Sequence, residues 1–497
     1  MNALGLNQVY LPPVVPVTHA RLTCSLSQQA TIEELSNEVL LDIFRYYLDA
    51  YPRFWPRLVH ICRKWRCIVF ASQRALHLRL FCTRGTSILN TLDCWPALPI
   101  VVQYGGSQQL APEDEDNIVA ALKQSDLVSS ISLTVTSSLL EKLYAIERPY
   151  AEMEDLVLLS QNSVRLTMPS AFSWGSRLRR LCSNRIAFPA LLQLLLSSRN
   201  LVDLQLHEVF SPWDFSPEAL TNALSGMAQL RSFSLHFLST NNYFTLPSPH
   251  KERVALPALT HLDFRGTHIY LEDLVAGIDA PLLRDVELTF FDESVYYLSK
   301  LREFIDRIGM HNSHRQANII SSERAISISL AQPGTPTCLK LQLICESLSA
   351  QLLTMAQICN FLSAFLFNVK DLRIFATRSS NRAYYGYRQW LKLINSFTGV
   401  NLFQVAGNLS TYLVRDLQLP DRKREVVLPG LRMLYIPQPG PRRALLREAV
   451  VSLMALRRLS GYPIAVEYER LCRPSKLRGA GMIYSQCRHH YLLTLLD

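Results

Sequence analysis

Few side chains in this sequence stand at spacings that could do chemistry. His311-x-x-His314 and Cys487-x-His489-His490 are close groups of metal-type donors. A structural zinc ion needs a full tetrahedral set, and neither group brings a second pair at zinc-finger spacing, so both read as loop or tail histidines. Phosphate-loop, nucleophile-elbow and His-Glu-x-x-His patterns do not occur. Cys82-Thr83-Arg84-Gly85 lacks the arginine placement of a phosphate-cradling cysteine loop, and Gly479-Ala480-Gly481 is not followed by a third glycine. Ser, His and Asp are numerous enough to meet in space as a triad, but no motif marks one. The expectation is a chain with no catalytic residues, no cofactor and no metal, which acts by binding.

Binding chemistry is of two kinds, basic and apolar. The formal net charge is +10, and between positions 421 and 477 twelve Lys and Arg stand against five Asp and Glu. Arg422-Lys423-Arg424, Arg442-Arg443 and Arg457-Arg458 could meet phosphates. Acidic residues interleave with them and no nucleic-acid motif surrounds them, so a solvated face or a site for an acidic protein is the preferred reading.

The apolar signal is concentrated in residues 32–80. Val39, Leu40, Ile43, Phe44, Tyr47 and Leu48 recur at the spacing of one helical face, with Ser36 placed as N-cap and Glu38 in the first turn. Leu58, Ile61, Cys62, Trp65, Ile68 and Val69 form a second stripe, with Arg63, Lys64 and Arg66 on the other side and Pro56 placed to open the helix. Two short helices cannot hide this much apolar surface alone. Spacing leaves open whether Leu40, Ile43, Phe44, Ile61 and Trp65 pack onto later parts of the chain or face another protein.

After residue 126 one pattern returns repeatedly: an apolar residue, a second three positions on, a third two further. Copies are Val128-x-x-Ile131-x-Leu133, Met153-x-x-Leu156-x-Leu158, Leu201-x-x-Leu204-x-Leu206, Leu230-x-x-Phe233-x-Leu235, Leu259-x-x-Leu262-x-Phe264 and Leu283-x-x-Val286-x-Leu288. Val369-x-x-Leu372-x-Ile374, Val400-x-x-Phe403-x-Val405 and Leu431-x-x-Leu434-x-Ile436 continue it, and Leu178-x-x-Leu181 is part of another. Most steps are roughly 23–31 residues, the period of leucine-rich repeats or slightly above it. Short parallel strands stacked in a coil, each returning through an outer helix, would bury these residues in one core. Helices are expected through 139–146, 190–196, 271–278, 295–308, 348–367, 383–397 and 444–459, and one opening at Ser216-Pro217-Glu218 has the N-cap, proline and early acid of a helix start. Alternating residues at 325–330 and 339–343 around Pro333-Gly334 predict a hairpin inserted in the coil.

Leu35-x-x-Glu38-x-Leu40-x-x-Ile43-Phe44, then Leu48, then Ile61-Cys62-Arg63-x-Trp65-Arg66, resembles the F-box, a small helical module. The stretch that follows, to Thr86, is similar to the continuation seen in the F-box expansions of mushroom-forming fungi. The resemblance implies docking onto the Skp adaptor, and through it a cullin, in a Skp–cullin–F-box ubiquitin ligase. It assigns adaptor contact to Leu35, Leu40, Ile43, Phe44, Leu58, Ile61, Cys62 and Trp65, with a protein substrate held on the coil's concave strand face. The alternative is a leucine-rich-repeat scaffold that binds protein or RNA without a ligase.

The expected fold is thus α/β: a flexible arm over 1–30, an F-box-like all-α module over 31–82, a linker and entry over 83–125, a leucine-rich-repeat-like solenoid over 126–460 with the hairpin at 325–343, and a cap or basic tail over 461–497. At 497 residues the chain exceeds one compact core. Its 11 cysteines are odd in number and scattered, which suits reduced thiols in the cytoplasm or nucleus. The stretch 347–369 is uncharged but interrupted by Gln351, Gln357 and Asn360, so it reads as a buried helix and not a membrane span.

Overall fold

The computed structural model describes residues 32–469, apart from 33, 106–109, 147, 161–165, 171, 211–215, 239–252, 292–296, 310–313, 333–336, 377–386, 407–408, 419–426 and 438–443. The chain divides into two compact units, Met1–Arg79 and Leu80–Asp497. The arm expected over 1–30 and the tail beyond 469 lie outside the described residues.

The first unit is helical. Helix α1 (Asn37–Ala50) starts at Ser36, whose Oγ accepts the Val39 amide at 3.3 Å. A 3-10 turn (Pro52–Phe54) leads into α2 (Trp55–Val59), and α3 (Arg63–Ala71) follows. The expected second helix is therefore two. Cys62 adopts an extended backbone and its sulfur caps α3, accepting the Trp65 amide at 3.5 Å. A cap residue has to leave helical geometry, so the apolar stripe is cut at Cys62. Leu40, Phe44, Leu48, Trp55, Leu58, Val59, Trp65, Ile68 and Val69 are buried, with the Phe44 and Trp65 rings 4.7 Å apart. Three side-chain to backbone bonds tie the turns: Trp55 Nε1 to Arg79 O (2.8 Å), Lys64 Nζ to Leu35 O (2.8 Å) and Arg66 Nε to Val59 O (2.9 Å).

The second unit is α/β, organised on a 16-stranded sheet among the described residues. Its strands are parallel except for Ala325–Ala331, which is antiparallel to both its neighbours. The repeated triplets explain the register. Their middle residues align from strand to strand and, with residues of the other strands, form an unbroken row: Cys82, Val102, Ile131, Leu156, Leu181, Leu204, Phe233, Leu262, Val286, Leu339, Leu330, Ala317, Leu372, Phe403, Leu434 and Val466. All are buried as far as Leu434. A second buried row runs two positions on, through Leu206, Leu235, Phe264, Leu288 and Leu341. The incomplete copy at Leu178 has Ser183 in that row, and its Oγ donates to Ile186 O at 3.0 Å. Each large apolar side chain so buried contributes roughly 1.5–3 kcal/mol.

Helices lie between strands close to where the sequence puts them, as at Ser137–Leu143, Leu191–Ser197, His268–Ala276, Ser299–Arg307, Leu348–Phe361, Tyr387–Ile394 and Ala444–Leu459. Ser216 caps Pro217–Leu224, its Oγ accepting the Ala219 amide at 3.1 Å. Neighbouring helices cap one another: Glu272 accepts the Lys300 and Leu301 amides at 2.8 and 2.7 Å, at the start of Ser299–Arg307. Among the described residues no helix is long and apolar enough to cross a membrane.

Two expectations change. The sheet begins at Leu80–Cys82, inside the segment assigned to the helical module, and residues 83–125 carry a strand (Ile100–Tyr104) and two helices (Ile88–Cys94 and Pro112–Leu122). Proline and glycine there mark turns within structure. The hairpin also forms, from Ala325–Ala331 and Thr337–Ile344, but a third strand, Gln316–Ser321, joins it and all three sit inside the main sheet. Thr337–Ile344 pairs with Asp285–Phe291, and Gln316–Ser321 with Asp371–Ala376, so the inward row is never broken.

The third strand escapes detection because its triplet is degenerate: His314-x-x-Ala317-x-Ile319. His314 stands where other copies have Leu, Val or Met, is buried, and has neither ring nitrogen hydrogen-bonded among the described residues. Burial lowers its pKa below the ordinary 6.5. The folded protein keeps the ring neutral, while the unfolded chain takes up a proton below that value. Stability is therefore full above the unfolded pKa and lost as pH falls from there through the folded one. His314→Leu should raise stability by roughly 1–3 kcal/mol, the cost of an unpaired buried polar group. It should also flatten the decline in unfolding midpoint between about pH 7.5 and 5.5, read by thermal denaturation of both proteins.

Candidate docking surfaces

The eight residues assigned to adaptor contact divide by burial. Leu40 and Phe44 are fully buried, and Leu58 and Trp65 nearly so. They are core, and four of the eight assignments therefore have almost no surface to offer. Leu35 and Cys62 are half-buried. Ile43 and Ile61 are exposed, at 44% and 58%. Ile43 does not stand alone. Val39, Ile43 and Tyr46 follow one another at helical spacing along the outer side of α1, all exposed, Tyr46 to 82%. Helix α1 thus carries two apolar faces, one packed by Leu40, Phe44 and Leu48, the other open. Sequence reading merged the two faces into one stripe and passed over Tyr46, whose amphipathic ring is the type enriched at protein interfaces. Ile61 is open because the break before α3 puts it in a turn, off the Leu58–Trp65 face.

In the second unit the residues between the two buried rows point to the other face of the sheet. There, Ser, His and Asp do meet. On Asp203–Val209, Ser232–Phe237 and His261–Gly266, Ser234 Oγ lies 3.1 Å from Asp263 Oδ2, His236 Nε2 is 3.0 Å from Asp263 Oδ1, and His207 Nε2 is 3.0 Å from Ser234 Oγ. The two imidazoles stack, centroids 4.3 Å apart and planes within 10°. A nucleophile relay needs a histidine with one nitrogen on the hydroxyl and the other on the carboxylate. His236 presents the same nitrogen to Asp263 and, at 3.4 Å, to Ser234. Ser234 is also fully buried and donates directly to the carboxylate. This cluster holds strands together and positions charge; it is not a relay through His236. No group of three or more His, Cys, Asp or Glu among the described residues could hold a metal ion.

Beside it the backbone departs from regular geometry. Pairing of Asp203–Val209 with Ser232–Phe237 shifts register between Leu206 and Val209, and Glu208 has φ of 53°. Arg185, at φ 57°, is its ion-pair partner across the strand ends. Positive φ costs a non-glycine residue, and bulges re-aim side chains. A cavity of about 680 Å³ opens here, lined by apolar residues including Ile186, Phe188 and Leu191 and by His207 and Glu208. Two strands along from His207, the Arg265 guanidinium lies over the Phe291 ring at 5.4 Å, and its buried Nε has no hydrogen-bond partner among the described residues. Burial lowers its pKa, and nearby Glu208 and Asp263 oppose that.

The basic C-terminal stretch loses a phosphate-binding candidate. Arg457 is fully buried and donates to the backbone carbonyls of Leu428 (3.1 Å) and Val427. Arg422, Lys423, Arg424, Arg442 and Arg443 lie outside the described residues, as do His311, Cys487, His489 and His490.

No protein-family model matches this chain, and no curated protein matches it.

The division between core and surface is measurable. Phe44→Ala and Trp65→Ala should each cost about 3–5 kcal/mol, whereas Ile43→Asp and Ile61→Asp should stay within about 0.5 kcal/mol of wild type in chemical denaturation.

Proposed function

We propose that this protein is the substrate-recognition subunit of a Skp–cullin–F-box ubiquitin ligase. On this reading the helical unit is an F-box and the strand–helix units are leucine-rich repeats forming a solenoid. The reading is supported most by one observation: α1 leaves Val39, Ile43 and Tyr46 open to solvent although its opposite face already fills a core. An apolar face with no use inside its own module is what helix-in-groove recognition requires. The Skp adaptor would take that face together with Ile61, while the outward strand face of the solenoid holds the target. The chain would break no bond. It would raise the effective concentration of a target lysine near the ligase's charged carrier.

Leu40, Phe44, Leu58 and Trp65 serve as the core that shapes the face, and adaptor contact falls to Val39, Ile43, Tyr46 and Ile61. Co-purification with the Skp adaptor is the direct test. Wild type should retain the adaptor, and the folded Ile43→Asp/Ile61→Asp double variant should lose it at least tenfold. Retention of the adaptor by that variant, with an unchanged unfolding midpoint, would refute the docking face, and failure of the folded wild type to hold the adaptor would leave a scaffold without a ligase.

A further inference from the structure

The strand face carries a positive charge, on Arg265, whose buried Nε has no hydrogen-bond partner among the described residues. Two carboxylates lie near Arg265, and both are engaged elsewhere: Glu208 by Arg185, Asp263 by His236 and Ser234. Arg265 itself makes no ion pair or hydrogen bond among the described residues, yet it is half-buried and steadied over Phe291. A guanidinium held in place, partly desolvated and unpaired is suited to a carboxylate arriving from outside. The His207 ring, on the cavity wall, stacks on His236, and His236 is register neighbour to Arg265, so the cavity wall and the guanidinium are joined through His236 across the strands. Two strand spacings separate them, about 10 Å. An extended chain covers that distance in roughly three residues.

We propose that this line is a peptide-recognition site, which takes an extended segment of a target protein with a large apolar side chain in the cavity and an Asp or Glu three residues away on Arg265. The inference rests on the strand face being the capture surface of the proposed receptor. The cavity supplies burial for one anchor, Arg265 supplies selectivity for charge, and the Ser234–Asp263–His236 cluster keeps competing carboxylates of the protein itself occupied. A cavity near 680 Å³ has room for an aromatic or long aliphatic side chain.

The test uses the purified full chain and fluorescein-labelled, acetylated heptapeptides in anisotropy titrations. One has Phe and Asp three positions apart in a Ser/Gly background, a second has Asn for Asp, a third Ala for Phe. The Phe/Asp peptide should bind at least tenfold more tightly than either control. Arg265→Gln should abolish the preference for Asp over Asn, while Ala190→Trp, which fills the cavity wall, should weaken both Phe peptides equally. Either variant should melt near wild type and keep whatever adaptor capture wild type has. The proposal is overturned if no peptide exceeds the controls, if Arg265→Gln retains the Asp preference, or if free 3-phenylpropionate binds as tightly as the peptide, which would make this a small-carboxylate site. Loss of adaptor capture with peptide binding intact would sink only the ligase reading. Absent peptide binding with adaptor capture intact would sink only this one.

Discussion

A short parallel strand with apolar residues on one side cannot hide them by itself, and everything in the larger unit answers to that. Each strand needs a neighbour in matching register, because a slip of one residue would turn its apolar set to water. The unbroken row from Cys82 to Val466 is the result. It explains why extra strands can be admitted only as a set. Thr337–Ile344 and Gln316–Ser321 both run in the common direction and flank the antiparallel Ala325–Ala331, so the three strands carry the row across without a step. The first position of each triplet must be filled as well, and in this strand a histidine, His314, fills it, buried with no hydrogen-bond partner among the described residues.

What the row constrains on one face it frees on the other. Outward positions between the buried residues need not be apolar, so polar chemistry can collect there, as at Ser234 and Asp263. The histidine, serine and aspartate cluster uses three adjacent strands as a rigid frame. Next to it, the bulge at Glu208 and the cavity break the regular surface. Side chains carried on such a frame are held more closely than loop residues would be, which suits a site that selects one charge in one place.

The helical unit obeys a different limit. A helix of 14 residues has more than one face, and a small module has core enough for only one of them. Phe44 against Trp65 closes that core. Val39, Ile43 and Tyr46 then remain outside, at a cost in solvent-exposed apolar surface that a partner would remove.

Period and composition determined much of this by themselves. The triplets marked ten of the sixteen strands of the main sheet and the row they join, the apolar stripes marked most helices, and Ser36 and Ser216 marked helix starts, because these signals are local and depend on spacing alone. Other features needed the folded chain. Leu40 and Ile43 belong to the same stripe in sequence, yet one is core and the other surface, because only the position of α3 decides which side of α1 is covered. Gln316–Ser321 was hidden because Ala317 and His314 are poor apolar letters, and its pairing with Ala325–Ala331 and Asp371–Ala376 outweighs their weak propensity. Ser234, His236, Asp263 and Arg265 carry no motif at all. They lie up to 31 positions apart and meet because the register sets adjacent strands side by side, a fact of tertiary pairing that no local window contains.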